Sequence, residues 1–369
     1  MVRMSDLIRG TVPSAPRPPA ARETPRPKSD GAADPAGAAE AAERDAVRYR
    51  ALEQLKQSRP AAEATSARER SADTATAGDA AALFTELQVF LTGLRPLARS
   101  GEPFPWADAQ GFLSRVVVAL EHSPQLFWIA ATPAPPADGD YLAFHQAQVA
   151  VLSLQVARNL GYDRARLLQL GLAGILIDVG LWQVPEGIVR RADHLSGEEQ
   201  ALFQSHPRLS VELIRKWGPP FPGLVDAVLQ HHEREQGQGF PQGLEGAAIH
   251  QDAKILGIVD SYATLTAPPP GAGHLEPHEV IREIVRSKNE SFSSPLIKAL
   301  LAEISVFPPG TVVRLNSGEV GRVVAVNRNH PLRPQVEVVT DSKGQALPVA
   351  RPVDLSEAPF LYVTGPVES

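Results

Sequence analysis

Hydrophobic and polar positions divide the chain into four textures. Residues 1–79 carry scarcely any large apolar side chains; Ala, Pro, Arg, Glu, Ser and Asp dominate. Such a segment cannot bury enough surface to offset its ordering entropy and reads as a disordered tail. One piece of it, "AAERDAVRYRALEQLKQ", fits a charged helix supported by four-apart ion pairs. From Leu83 the apolar positions take helical spacing in "LFTELQVFLTGLRPL" and "FLSRVVVALEHSPQLFWIA", which makes 80–138 an N-terminal helical region punctuated by Pro135-Pro136. Helical spacing continues over 139–304, where Ser196 and Glu199 form a capping box and Pro207 suits a first helical turn. After "FPPG" the period drops to two. Residues 305–369 read as a small β module with hairpins turning at Asn316-Ser317-Gly318 and around Lys343-Gly344. The predicted fold class is mainly α: a helical bundle, a small C-terminal β module and a disordered N-terminal tail.

Composition narrows the chemistry. A formal net charge of −6 on 369 residues gives no broad basic field, which argues against nucleic acid as a partner. Without cysteine, disulfides and thiolate zinc sites are excluded. Any metal falls to His, Asp and Glu, a donor set suited to iron, manganese or zinc. The start "MVRMSDLIRG" lacks the apolar core of a secretion signal. Apolar runs such as "LLQLGLAGILI" are shorter than the roughly 18 residues of a membrane span. The expectation is a soluble cytoplasmic protein with no membrane partner.

Several polar residues interrupt apolar stripes. His145 lies in line with Val149, Leu152 and Val156, and Asp260 with Ile249, Ala253 and Leu256. His206 precedes the Pro207 helix, and His231-His232 end the helix before "EREQGQGFPQG". Taken singly, each histidine is more often a hydrogen-bonded core residue than a ligand, and each aspartate more often a cap. Asp178 fits that reading badly. It closes the run "LLQLGLAGILID" at a helix C-terminus, where the macrodipole disfavours negative charge, and no Lys or Arg lies within a turn of it. Buried there unpaired it would cost several kcal/mol. Gly171 and Gly174, on its face, offer one way out by leaving room for water. A metal offers the other. His145, Asp178, His206, His231, His232 and Asp260 then form one constellation, in which a carboxylate between imidazole sets could bridge two ions for phosphoester hydrolysis. The reading fails if these side chains stand more than about 8 Å apart, since paired ions sit roughly 3.5–4 Å from each other.

In this order the segments "DYLAFHQAQVAVLSLQVARNLG", "GILIDVGLWQVPEGIV", "LSGEEQALFQSHP", "HHEREQGQGFPQGL" and "KILGIVDSYATLT" resemble the HD-GYP family, bacterial cyclic di-GMP phosphodiesterases of the HD superfamily. The tail "FPPGTVVRLNSGEVGRVV" resembles a module common at the C-terminus of such proteins. The resemblance implies an HD-superfamily helical bundle. It places the family's metal ligands on His145, Asp178, His206, His231, His232 and Asp260, with Asp178 as the bridging carboxylate. It places the substrate or partner loop on Gly237, Gly239, Phe240 and Pro241, where Phe240 stands for the signature tyrosine, and it implies cyclic di-GMP and GGDEF-domain or other signalling proteins as possible partners. Glu233 and Arg234 either orient ligands or lie on a solvated helix end.

The departures set the functional expectation. The histidine of the His-Asp pair is Ile177, the following lysine is Leu181, the loop aspartate is Gln236, and a second helix aspartate is Ala263. "APPPGAG" replaces an arginine-bearing stretch, and Tyr141 stands where three-metal members carry glutamate. One ion keeps His145, Asp178 and Asp260 but loses a ligand; the other keeps Asp178, His206, His231 and His232. The expectation is one occupied divalent ion (Fe, Mn or Zn) with the second site weak, in a degenerate, non-catalytic or weakly active regulator. The alternative is an active phosphodiesterase acting on cyclic di-GMP, or its linear product, through an incomplete site.

Overall fold

The structure, a computed structural model, describes residues 67–131, 139–191, 195–269, 277–304, 310–327 and 332–367, with Leu275, Phe307 and His330 between them; side chains are described from Gly78. The segment "AAERDAVRYRALEQLKQ" and Pro135-Pro136 lie outside these residues. The described chain forms two compact units, a helical one up to Ile304 and one from Phe307 onward that holds a sheet.

The helical unit opens with α1 (Ala67–Leu94), α2 (Leu97–Ser100), α3 (Trp106–His122) and α4 (Gln125–Ala131). The first helix reaches back to Ala67, into the stretch read as tail. Alanine, the strongest helix former, recurs in its first turns, and further along the helix Ala80, Leu83, Phe84, Leu87 and Leu91 are buried. Next come α5 (Tyr141–Asn159) and α6 (Arg164–Leu176), then a 3₁₀ turn over Val179–Gln183. The unit closes with α7 (Glu186–Val189), α8 (Gly197–Gln204), α9 (His206–Trp217), α10 (Gly223–Leu229), α11 (Gln251–Thr266), α12 (Pro277–Arg286) and α13 (Ser294–Glu303). The capping box of Ser196 and Glu199 opens α8, and Pro207 sits in the first turn of α9, both as predicted.

The centre of the unit is α5. Asp140 caps it, accepting from the amides of Leu142 and Ala143. Every residue from Leu142 to Leu154 is buried, so α5 packs on all sides and not along one stripe. Its contact with α6 is backbone to backbone: a Cβ on Gly174 would lie 2.9 Å from Ala150 Cα. One on Gly171 would lie 2.9 Å from Leu113 Cδ2. These glycines admit neighbouring helices, and the room predicted for water beside Asp178 is filled by them. The most apolar 18-residue window within Arg164–Gln183 reaches a mean hydropathy of 1.4, but 78% of that window is buried inside the unit, as befits a core helix.

The second unit is one antiparallel sheet in the order β4-β3-β2-β1-β5, with β1 Val312–Leu315, β2 Val320–Ala325, β3 Gln335–Thr340, β4 Ala346–Asp354 and β5 Val363–Pro366. Gly318 (φ +88°) and Gly344 (φ +83°) make the two predicted hairpin turns. Strand β5 carries no alternating pattern in "VTGP", so periodicity does not predict it; it pairs along β1.

Candidate metal centre

The fold brings all six candidate ligands together from five segments. On α5, His145 directs Nε2 to Asp260 Oδ1 on α11 at 2.9 Å and to Asp178 Oδ2 at 3.5 Å. Asp178 follows the C-terminal end of α6 and is only 5% exposed. Its other oxygen, Oδ1, stands 3.2 Å from His206 Nε2 and 3.9 Å from His231 Nε2. Two groups result, His145–Asp178–Asp260 and His206–His231–His232, and within each the donor atoms lie within 4.8 Å of one another. His232 spans them, with Nε2 3.2 Å from His206 Nε2 and Nδ1 3.9 Å from Asp260 Oδ2.

What holds Asp178 in place is the 3₁₀ turn. A Cβ on Gly180 would collide with the carbonyl of His206 and lie 2.6 Å from Ser210 N, so only glycine lets this turn dock on the start of α9. Ser210 Oγ accepts from Gly180 N at 2.8 Å and donates to Ile177 O at 3.2 Å. The carboxylate is thereby fixed beside His206 despite its unfavourable helix end.

The hydrogen bonds of two histidines decide their tautomers. His206 Nδ1 meets Phe203 O and His231 Nδ1 meets Val228 O, both at 2.7 Å. A carbonyl oxygen only accepts, so both Nδ1 atoms carry protons and donate. In the neutral rings both Nε2 lone pairs then point inward, 3.3 Å apart and toward Asp178 Oδ1. That arrangement is repulsive unless a cation, a proton or a metal ion, lies among them. An Nδ1–H to carbonyl bond with Nε2 left free is also how metal-ligating imidazoles are usually oriented, so the residues present fit a divalent ion.

The electrostatics follow the same division. Burial pushes the Asp178 carboxyl up, but the hydrogen bond and charge of His206, with His145 and His231 behind, outweigh it and hold the group at about 2. His145 is pushed down by burial yet carried above the usual histidine range by Asp260 and Asp178. Burial and the neighbouring His206 hold His231 down at about 4, and burial with His231 and His206 takes His232 well below its ordinary value.

The glycine-rich loop closes over the histidine side. The Phe240 ring stacks on His232 at 4.5 Å and 22° and presents an edge to His206 at 6.4 Å. A Cβ on Gly239 would collide with His232 O, which keeps the loop tight against the histidines. The Phe240-Pro241 bond is cis, and Pro241 O accepts from Arg208 Nη2 at 3.0 Å. Gly237 (φ +75°) turns the chain earlier, its amide donating to Arg234 O. Glu233 and Arg234, 4% and 1% exposed, are not a solvated helix end. Glu233 accepts from Gln242 N and Leu244 N and ties down the loop. Arg234 donates to the carbonyls of His231 and Glu233 and to Ser261 Oγ. Sequence reasoning missed Arg208, Ser210 and Gly180. Only Gly180 leaves a trace there, as a glycine two residues beyond a misplaced acid.

Ile177 and Leu181 are buried apolar side chains. Tyr141 stacks on His145 at 5.8 Å and donates its hydroxyl to Ala267 O. Residues 270–273 of "APPPGAG" lie outside the described residues.

Residues 138–294 match the HD domain family, and 312–369 match a KOW domain associated with HD domains. The chain is 27% identical over 261 residues to a cyclic di-GMP phosphodiesterase of Pseudomonas aeruginosa, covering 71% of this chain and 62% of that protein. It is 20% identical to the cyclic di-GMP phosphodiesterase PdeB of Borreliella burgdorferi, covering 56% of this chain and 54% of the relative. It is 31% identical to a 3'3'-cGAMP-specific phosphodiesterase of Vibrio cholerae over 37% of this chain and 32% of that one. The chain thus spans less than two thirds of the length of these relatives. In fold it is similar to an HDG"Y"P protein of Bdellovibrio bacteriovorus (TM-score 0.53, 16% identity, 68% of this chain and 76% of that one).

Proposed function

Because the chain belongs to the HD-domain family, of the HD-GYP type, we propose that it is a metal-binding regulator in cyclic di-GMP signalling with little or no hydrolytic activity. The observation that carries this reading is the asymmetry of the centre. On the histidine side three imidazoles and Asp178 converge, with the Nε2 lone pairs of His206 and His231 inward. On the acid side the position beside Asp178 is Ile177, which has no donor. His206, His231, His232 and Asp178 would hold one divalent ion tightly; His145, Asp178 and Asp260 would hold a second weakly.

An ion in such a site supplies charge neutralisation and a more acidic bound water. This chain's own residues position ligands around it: Asp178 is shared between both sides, Phe240 roofs the histidines, and Glu233 fixes that roof. Position 181, beyond the carboxylate, offers no positive charge to a doubly anionic substrate, since Leu181 is buried and apolar. Nucleotide or partner binding, including a GGDEF-domain protein, falls to the Gly237–Pro241 loop. The alternative is a phosphodiesterase working on cyclic di-GMP or its linear product through the incomplete site. The convergence of all six donors favours it.

Metal content, cyclic di-GMP binding and turnover measured on one purified sample separate the two. The expected result is about one tightly held ion of iron, manganese or zinc per chain, retained nucleotide binding and turnover at background. Turnover in the range of about 1–10³ s⁻¹ usual for enzymes, abolished in His231→Ala, establishes the alternative instead.

A further inference from the structure

Gln146 is the most anomalous polar residue of the helical core. It follows His145 on α5, is 0% exposed, and neither heteroatom of its amide has a partner in the protein. An amide stripped of water with nothing to bond is strongly unfavourable, and a buried group of that kind points to an ion or water as its missing partner. Three other residues of α5 are incompletely satisfied, but differently: His145 has no partner at Nδ1 while its Nε2 meets Asp260. Gln148 donates to Ala130 O at 2.9 Å, and Ser153 sits two turns further along the helix.

The packing of α5 on α6 says which ion. The two helices are joined by the short link over residues 160–163, run antiparallel, and touch at Ala150 and Gly174. One turn back from Ala150 along the same stripe of α5 is Gln146. One turn on from Gly174, past the end of α6, are Ile177 and Asp178. Gln146 therefore lies at the level of Asp178, next in chain to His145, whose Nε2 is 3.5 Å from Asp178 Oδ2. That is the side of the centre where Ile177 offers no donor.

We propose that Gln146 supplies the fourth protein donor, through its amide oxygen, to a divalent ion held by His145, Asp178 and Asp260. The assignment rests on the metal-binding reading above and deepens it. It makes the acid side one nitrogen and three oxygens, and the histidine side three nitrogens and a shared carboxylate oxygen. Oxygen-rich sets suit Mn²⁺, and nitrogen-rich sets suit Zn²⁺. A neutral amide is a poorer ligand than the imidazole it replaces, so this site fills after the other.

The full chain is loaded with one equivalent of Zn²⁺ and titrated with Mn²⁺, whose free fraction is read by electron paramagnetic resonance. Wild type takes up one Mn²⁺; Gln146→Leu weakens that uptake tenfold or more while the Zn²⁺ content stays at one. Gln146→Glu, which keeps the side-chain length and adds charge, tightens it, and gives a reading independent of how the leucine variant folds. Mn²⁺ affinity unchanged in both variants overturns the assignment of Gln146 alone. A wild-type protein that retains neither Zn²⁺ nor Mn²⁺ overturns this inference together with the metal-binding reading. Ile177→His adds a further check: with the imidazole restored, replacing Gln146 by leucine costs less than it does in wild type.

Discussion

At the scale of single residues, Asp178 declares itself in the amino-acid order alone. A carboxylate at the wrong end of an apolar helix, with no cation in reach along the chain, has to find partners elsewhere, and it finds three histidines. The use of Gly171 and Gly174 is not legible in that way, because sequence does not say which neighbour fills the space a missing Cβ leaves. Gln146 is hidden too, since a helix buried on every side has no polar face against which an inward polar residue stands out. Asp178→Asn leaves the helix end intact but removes the shared charge. We expect it to lower affinity for the tight ion by more than the roughly 10–100-fold typical of outer-shell changes, measured by competition with a chromogenic chelator. His231 supplies a pH-dependent expectation. Its folded value of about 4 lies below the ordinary 6.5, so the unfolded chain takes up the proton first as pH falls. In the metal-free protein this group's contribution to stability is present above pH 6.5 and is lost as pH falls from there to about 4. His231→Gln should flatten that part of the unfolding curve by on the order of 2 kcal/mol, read from denaturant midpoints at about pH 7 and about pH 4.5.

At the scale of elements, the 3₁₀ turn does what no motif announces. Its glycine meets the His206 carbonyl and its amide meets Ser210, so α6, the turn and α9 act as one clamp on the carboxylate. Gly180→Ala is expected to destabilise by about 1–3 kcal/mol through overpacking and to release the bound ion, which thermal melts with and without added metal will show. Ser210→Ala is milder: it strips Gly180 N of its acceptor for about 1–3 kcal/mol and should lower metal affinity without abolishing it. Capping signals and hairpin glycines are legible because each acts within four residues of itself, as the Ser196–Glu199 box and the Gly318 and Gly344 turns illustrate. Strand β5 is not, because its pairing with β1 joins residues about fifty apart and "VTGP" carries no periodicity of its own. The start of α1 escapes a reading by hydrophobic pattern because alanine favours a helix at no side-chain entropy cost without supplying the large apolar side chains from which a period is read.

At the scale of the whole molecule, the two units have unlike reasons to be stable. The sheet closes on alternating valines such as Val313, Val323, Val336 and Val338, whereas the helical unit carries at its centre two groups of buried or half-buried His and Asp donors suited to a cation. Chelation should therefore lower the unfolding midpoint of the helical unit, followed by its far-ultraviolet circular dichroism, by the amount metal linkage dictates. At a free ion concentration about 100 times the dissociation constant that is about 2.7 kcal/mol. The tryptophan-free sheet unit should show no such shift when followed by hydrogen exchange of its strand amides.

The two oxygens of Asp178 face opposite ways, Oδ1 to the imidazoles and Oδ2 to His145. Were both sides to hold a cation, a carboxylate placed so would be a thermodynamic hinge between them: its charge would be divided, and so would its orientation. Occupancy on one side then sets the affinity on the other, and the coupling free energy is the same in both directions. Reversing the order of addition of two different ions must give the same product of binding constants, and any effect of the first on the second is returned in full.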